Sequence, residues 1–333
     1  MDALSDVLQV VRLGGAVYLH GEFTAPWSVA SRSNAELCAT FLPQCERVMS
    51  YHLVTHGSCW AQLAGDPSSA MPVNAGELLV VPQGEEHIMA SSLDIEPVSS
   101  APIMSQHLNT SPGEMLRLTY GGGGDSSRLL CGFIACDETL SNPLIAMLPR
   151  MFKVDMRNDP RSAWIESSLQ FAAAEAADWR PGSSIVLGKL SELLFVEAVR
   201  RCIDSMPTAS EGWLAGVRDR FVGRALALMH AQPAYAWTVD ELARAVGLSR
   251  SALAQRFAEL TGQPPMHYLT RWRLQLAAKQ LTSADKPLIA VAAQVGYDSE
   301  AAFNRAFKRE FGMPPSSWRK AQKKNEEETA PAA

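Results

Sequence analysis

The sequence predicts an α+β protein: a strand-rich first part that closes into a small β-barrel, helices behind it, and an all-helical C-terminal part. Three observations predict this. Short apolar runs punctuated by Gly and Pro fill the chain to about residue 140. From about 143, apolar residues recur at three-to-four spacing instead. Near the C-terminus, "FAELTGQPP" (257–265) returns as "FKREFGMPP" (307–315), so one helix ending is written twice.

The strands come first. "VMSYHLVTHGSCWAQLAG" and "GELLVVPQGEEHIMA" are β-rich and broken by turn residues. "RLTYGGGGDSSRLLCGFIAC" reads as two strands around a loop. Its glycines are no phosphate cradle, because no Lys-Ser/Thr follows and a strand takes the place of the helix such a loop needs. Several short strands with frequent turns suit a barrel or sandwich. "AWIESSLQFAAAEAADW" and "SSIVLGKLSELLFVEAVRRCI" then read as helices. The broad apolar face of the second suits packing on the barrel, a dimer seam, or both.

With 333 residues, 47% of them hydrophobic, the chain can hold two cored domains. The expected division is a first domain at 1–204 (barrel to about 140, helices 143–203), a polar linker at 205–212 and a second domain at 213–322. The tail, 323–333, reads as disordered. No apolar run approaches the roughly 20 residues of a membrane span. Asp2, Asp6 and Arg12 break the layout of a secretion signal, so the expected place is the cytoplasm. Cys38, Cys45, Cys59, Cys131, Cys136 and Cys202 form no C-x-x-C pair and read as free thiols.

Charge divides the same way. Residues 1–212 carry 13 Lys/Arg against 24 Asp/Glu, a net −11; residues 213–324 carry 17 against 8, a net +9. A basic domain on an acidic protein points to a polyanion as partner of that domain alone.

The basic half spells out its elements. Thr238-x-x-Glu241 is a capping box, Gly247 supplies a sharp turn, and Ser249 caps a second helix. Leu253, Phe257 and Leu260 face inward. Ala292, Val295 and Gly296 repeat Ala243, Val246 and Gly247 at an offset of 49, and Ser299 repeats Ser249 at 50, so the second turn has one extra residue. Phe303, Phe307 and Phe311 form the second inward face. Each unit is a helix–turn–helix of the kind that enters a DNA major groove. Between them "PPMHYLTRWRLQLAAKQLTSADK" reads as one helix, roughly 27 Å long. Such a rod suits two recognition helices about 34 Å, one DNA turn, apart.

Opposite the inward faces lie Arg250, Ser251, Ala254 and Gln255 on the first unit, and Glu300, Ala301, Asn304, Arg305 and Lys308 on the second. Gln255 and Asn304 suit adenine, and Arg305 suits guanine. Arg271, Arg273, Lys279, Arg309, Arg319 and Lys320 are expected to hold phosphates.

The run "SRSALAQRFAELTGQPPMHYLTRWRLQLAAKQL…IAVAAQVGYDSEAAFNRAFKREFGMPPSSWR" resembles the AraC/XylS-type transcriptional regulators over about 215–322. That family docks both recognition helices in adjacent major grooves, and it carries Arg where this chain has Gln255, with Arg256 next door. "GELLVVPQGEEH" fits G-x5-P-x-G-x2-H through Gly76, Pro82, Gly84 and His87, and is similar to the second cupin motif. The resemblance implies a cupin-like sensor domain, a small-molecule effector, a homodimer on promoter DNA, and activation through RNA polymerase. Enzymatic cupins hold a metal with two His and a Glu from a first motif. Aligned on Gly57, the Glu position here is Ser50, and no H-x-H precedes it. No catalysis and no cofactor are therefore expected, with a cupin-type metal enzyme as the alternative. His52 and His87 are candidates for the barrel interior. They could bind a ligand, share a metal with Cys45 or Cys131, or be ordinary core histidines. Cys131 is also a candidate oxidant sensor.

Overall fold

The computed structural model describes residues 3–10, 13–32, 34–41, 47–105, 116–136, 148–157, 182–205, 212–283 and 286–321, with isolated positions between 145 and 175. Cys45, most of the helix expected at 163–179, nearly all of the linker and the tail lie outside the described residues. The described residues fall into two compact units.

The first unit runs from β1 to α4. Its strands are β1 (Leu13–Thr24), β2 (Ser28–Ala30), β3 (Arg47–His56), β4 (Ser58–Leu63), β5 (Asp66–Asn74), β6 (Glu77–Val81), β7 (His87–Ala90), β8 (Val98–Ser99), β9 (Leu116–Gly121), β10 (Ser126–Cys136) and β11 (Phe152–Asp155). Helices α2 (Asn34–Phe41), α3 (Ser100–Ser105) and α4 (Ser183–Ser205) accompany them. The strands make two sheets, β11-β6-β3-β10-β1-β9 and β5-β4-β7-β2-β8. One apolar core draws on both, including Leu19, Val54 and Leu129 from the first and Cys59, Val73 and Met89 from the second.

Strand patterns follow what covers each face. β4 alternates: Cys59, Ala61 and Leu63 point in, while Trp60 stays exposed. β3 is buried continuously from Val48 to Val54, because both of its faces are covered. Its outer face meets α4, where the Tyr51 hydroxyl lies 3.2 Å from Ser191 Oγ. Gly84 takes a φ of +64°, and a Cβ there would stand 2.5 Å from the Val48 carbonyl oxygen, so the β6–β7 turn requires glycine. One correction concerns the strands. They do not end near 140, since β11 pairs with β6 at the sheet edge. Four residues, Phe-Lys-Val-Asp, are too few for their alternation to stand out from the helical pattern expected around them.

The second unit holds α5 (Trp213–Arg218), α6 (Val222–Ala231), α7 (Val239–Val246), α8 (Arg250–Thr261), α9 (Pro265–Ser283), α10 (Leu288–Gln294), α11 (Glu300–Phe311) and a last helix, α12, at 315–321. The N-terminal helix, α1 (Ala3–Val10), belongs to this unit and packs against α6 and α9. Its Ala3, Leu4 and Val7 are buried.

Both expected helix pairs are present. The capping box closes as read: Glu241 N–H donates to Thr238 Oγ1 (3.2 Å) and Thr238 N–H to Glu241 Oε2 (2.9 Å). Gly247 ends α7 at φ +81°, and Ser249 and Ser299 cap α8 and α11. Gly262 and Gly312, the glycines of the doubled motif, are both left-handed caps. α9 has 19 residues, or about 28 Å.

Candidate nucleic-acid interface and buried cavity

The second recognition helix, α11, is seated by aromatics. Phe303 and Phe307 are fully buried, with Phe311 next along the same stripe. Their rings run at 5.5 and 4.5 Å centroid spacing, and Trp318 of α12 closes the stack 5.1 Å from Phe311. Edge-to-face and tilted packing of this kind fixes a helix's rotation. With that face buried, Arg305, Lys308 and Arg309 are exposed and Asn304 is half-buried beside them. Among the described residues none makes a hydrogen bond or ion pair with the side chain of Arg305, Lys308 or Arg309. The helix thus offers three cations in two turns.

The first recognition helix, α8, is seated by fully buried Leu253 and Phe257. Its polar side chains are engaged within the protein. Arg250 faces Asp240 at 3.6 Å, and Gln255 Nε2 donates to Glu259 (2.8 Å). Ser251 Oγ lies 3.3 Å from Ser249 Oγ. Arg256 is tied to Asp219, with Nε donating at 2.9 Å. Asp219 also accepts from the Phe221 and Val222 amides at the start of α6. Burial would raise the Asp219 pKa, but Arg256 and those amides bring it below the usual value. Through this pair Arg256, one of the residues expected at the DNA, ties α8 to the start of α6. The sequence offered no sign of Asp219, which lies 37 positions away.

Three of the expected phosphate holders are also engaged inside the fold. Arg271 Nε pairs with Glu310 of α11 (3.0 Å), joining the rod to the second recognition helix. Arg273 is half-buried and donates to the Pro233 and Tyr235 carbonyls. Arg319 donates to the Lys286 carbonyl at 2.6 Å. Lys320 is exposed, and Lys279 has a partner of its own.

Beneath the first pair lies a polar knot. The Tyr268 hydroxyl accepts from Trp213 Nε1–H (3.2 Å) and donates to His230 Nε2 (2.8 Å). The other ring nitrogen of His230 faces Asp6 of α1 at 3.7 Å, and the ring stacks on Trp272. Burial lowers the His230 pKa to about 3, so the ring is neutral.

In the strand unit, a cavity of about 70 Å³ opens between the sheets. That is several times the ~10–15 Å³ a single water needs. Its wall is mainly apolar, with Phe23 and Trp27 stacked at 4.4 Å. His52, His87 and Cys131 all line it, so the sequence candidates do converge. His52 on β3 and Cys131 on β10 are register partners. His87 reaches across from the second sheet, its Nε2 2.7 Å from His52 Nε2. Burial, with His87 alongside, holds His52 well below its usual pKa, and burial lowers His87 too. Burial pushes the Cys131 thiol up, opposite to what an oxidant-sensing thiolate requires. Among the described residues no three His, Cys, Asp or Glu side chains gather where a metal could be held. Trp27 and Ser100, also at the cavity, carried no signal in the sequence.

Two sheets around a cavity, with a doubled helix–turn–helix, define a cupin joined to a DNA-binding domain, and comparisons with known proteins agree. The family described as Cupin matches residues 2–204, and the Helix-turn-helix domain family matches 242–321. The chain belongs to the AraC-like transcription regulators. It is 30% identical to a Streptomyces antibioticus chain named as an AraC-like transcription regulator, over 96% of this chain and 99% of the other. It is 26% identical to the HTH-type transcriptional regulator AlkR of Acinetobacter baylyi, again over 96% and 99%. Among solved structures, the DNA-binding domain of AdpA in complex with a target DNA is 27% identical, covering 32% of this chain and 95% of that one at a TM-score of 0.31. Among the described residues no helix is long and apolar enough to cross a membrane.

Proposed function

We propose that this chain, without catalysing a reaction, controls transcription by laying α8 and α11 in successive major grooves of promoter DNA. α11 supplies the larger share of the grip. The observation that carries this reading is the outward face of α11, where Arg305, Lys308 and Arg309 stand exposed over a helix locked from behind by aromatics. Arg305 and Asn304 are assigned to base edges, Lys308, Arg309 and Lys320 to phosphates, and Arg250, Ser251 and Gln255 to a weaker set of contacts from α8.

The strand unit is assigned to sensing a small molecule, within a domain at 1–204 whose first helix, α1, packs with the helical unit; a linker at 205–212 leads to the domain at 213–322. A homodimer suits α4, where Ile185 is 70% and Leu193 49% exposed beside a buried face. Activation through RNA polymerase, in the cytoplasm, completes the reading. The test is binding of the full chain to DNA upstream of its own and neighbouring genes across salt concentrations. Several phosphate contacts give a log–log slope of about −4 or steeper, and a slope near zero defeats the proposal.

A further inference from the structure

We propose that the cavity between the two sheets binds a small neutral molecule with an apolar body and one hydroxyl group, an alcohol or phenol, held through His52, Trp27 and Ser100. This assignment rests on the sensing role given above to the strand unit.

The hydrogen-bond pattern defines what is missing. His87 Nδ1 lies 2.9 Å from the Glu85 carbonyl oxygen, which can only accept, and 3.1 Å from Ser31 Oγ, which can accept or donate; only a hydrogen on Nδ1 suits both. In the neutral ring, His87 Nε2 is then an acceptor. His52 Nε2, 2.7 Å away, must donate to it. That leaves His52 Nδ1 as a bare lone pair, sealed from solvent and without a partner among the described residues. Trp27 Nε1–H is a sealed donor in the same condition, and Ser100 Oγ a sealed hydroxyl. All three side chains line the cavity and are more than nine-tenths buried. A buried polar group left unpaired loses the hydrogen bonds it made to water and gains none in return. A ligand that completes these groups is favoured over one that only fills the space.

The required chemistry is specific. The lone pair of His52 demands a donor, and the indole N–H demands an acceptor. A hydroxyl is the smallest neutral group that is both. The rest of the wall, with the stacked Phe23 and Trp27, suits an apolar or aromatic body. A carboxylate is the competing chemistry, since Arg32 also lines the cavity. The imidazoles, however, face it as neutral rings, and a carboxylate cannot donate to His52.

Titration calorimetry on the full chain with phenol, toluene and benzoate tests this. The expected order is phenol tightest, by at least tenfold over both others. Trp27→Phe keeps the stack on Phe23 and removes only the N–H. It is expected to weaken phenol severalfold and leave toluene unchanged. If Trp27→Phe does not fold, Ser100→Ala takes its place with the same expectation. Equal binding of phenol and toluene, tighter binding of benzoate, no binding of phenol, or an unchanged phenol affinity in the variant each overturn the proposal. Promoter-DNA affinity measured alongside separates the two readings. Phenol bound as expected with no change on DNA leaves the hydroxyl site standing and removes its sensing role. Salt-dependent DNA binding without phenol binding removes the hydroxyl site and leaves the DNA-binding reading standing.

Discussion

The two helix–turn–helix units use one pattern of Gly, Ser, Phe and Pro, but they spend their charges differently. In the first, Arg250 faces Asp240, Gln255 faces Glu259 and Arg256 holds Asp219. In the second, Arg305, Lys308 and Arg309 stand exposed. Their cores differ as well. Below α8 sits the knot of Trp213, Tyr268 and His230, whereas α11 rests on Phe and Trp rings. A repeated motif therefore fixes the shape of a recognition unit. Which copy has charge to offer DNA depends on the neighbours each copy meets.

The largest expected effect probes what the copies share. Phe257→Ala and Phe307→Ala each remove a fully buried ring and are expected to cost about 3–5 kcal/mol, read by denaturant unfolding. A cost under 1 kcal/mol at either site would break the equivalence.

Acid comes next, and it separates the copies. His230 is buried neutral, with a pKa near 3 in the folded state against 6.5 unfolded. Below pH 6.5 the unfolded chain binds the extra proton, so stability is intact above that pH and falls as pH drops towards 3. The loss approaches about 1.4 kcal/mol per pH unit. Hydrogen exchange at pH 4.5 should therefore open α6 and α7 before α10 and α11. Simultaneous opening would show that the knot is not the weak point.

DNA readout sharpens the comparison further. Arg305→Ala is expected to cost about 1–3 kcal/mol on the preferred promoter and to relax base preference at one position. An equal loss on every sequence would make Arg305 a phosphate contact. Lys308→Ala should reduce the salt slope by about one. The smallest effect is at Arg256. Its exposed pair with Asp219 is worth about 0–1 kcal/mol. Arg256→Ala should lower stability slightly, seen as a small drop in Tm, and leave the salt slope unchanged. A shallower slope would return Arg256 to the DNA face.

Much of this was legible because helix signals are local. Thr238 and Glu241 are three apart, Ser249 caps its own helix, and Phe303, Phe307 and Phe311 recur every four residues. No tertiary knowledge is needed to place them. The same locality explains which partners were not foreseen. Arg256, Arg271, Arg273 and Arg319 look alike in sequence as cations on a basic domain, and their partners lie 37, 39, 40 and 33 positions away. Nothing in a single sequence pairs them. The cavity was half legible: His52, His87 and Cys131 were candidates, but Phe23, Trp27 and Ser100 come from segments without a motif.

By itself, then, the sequence determined where the helices of the two recognition units start and stop, that the unit is doubled, and which halves are acidic and basic. These rest on backbone propensity, caps and composition, each settled within a few residues. Only the tertiary structure decided which charges stay free, which histidine nitrogen lacks a partner, and that α1 packs with the C-terminal helices. Those outcomes depend on burial and long-range hydrogen bonding, which bring together groups that the chain keeps far apart.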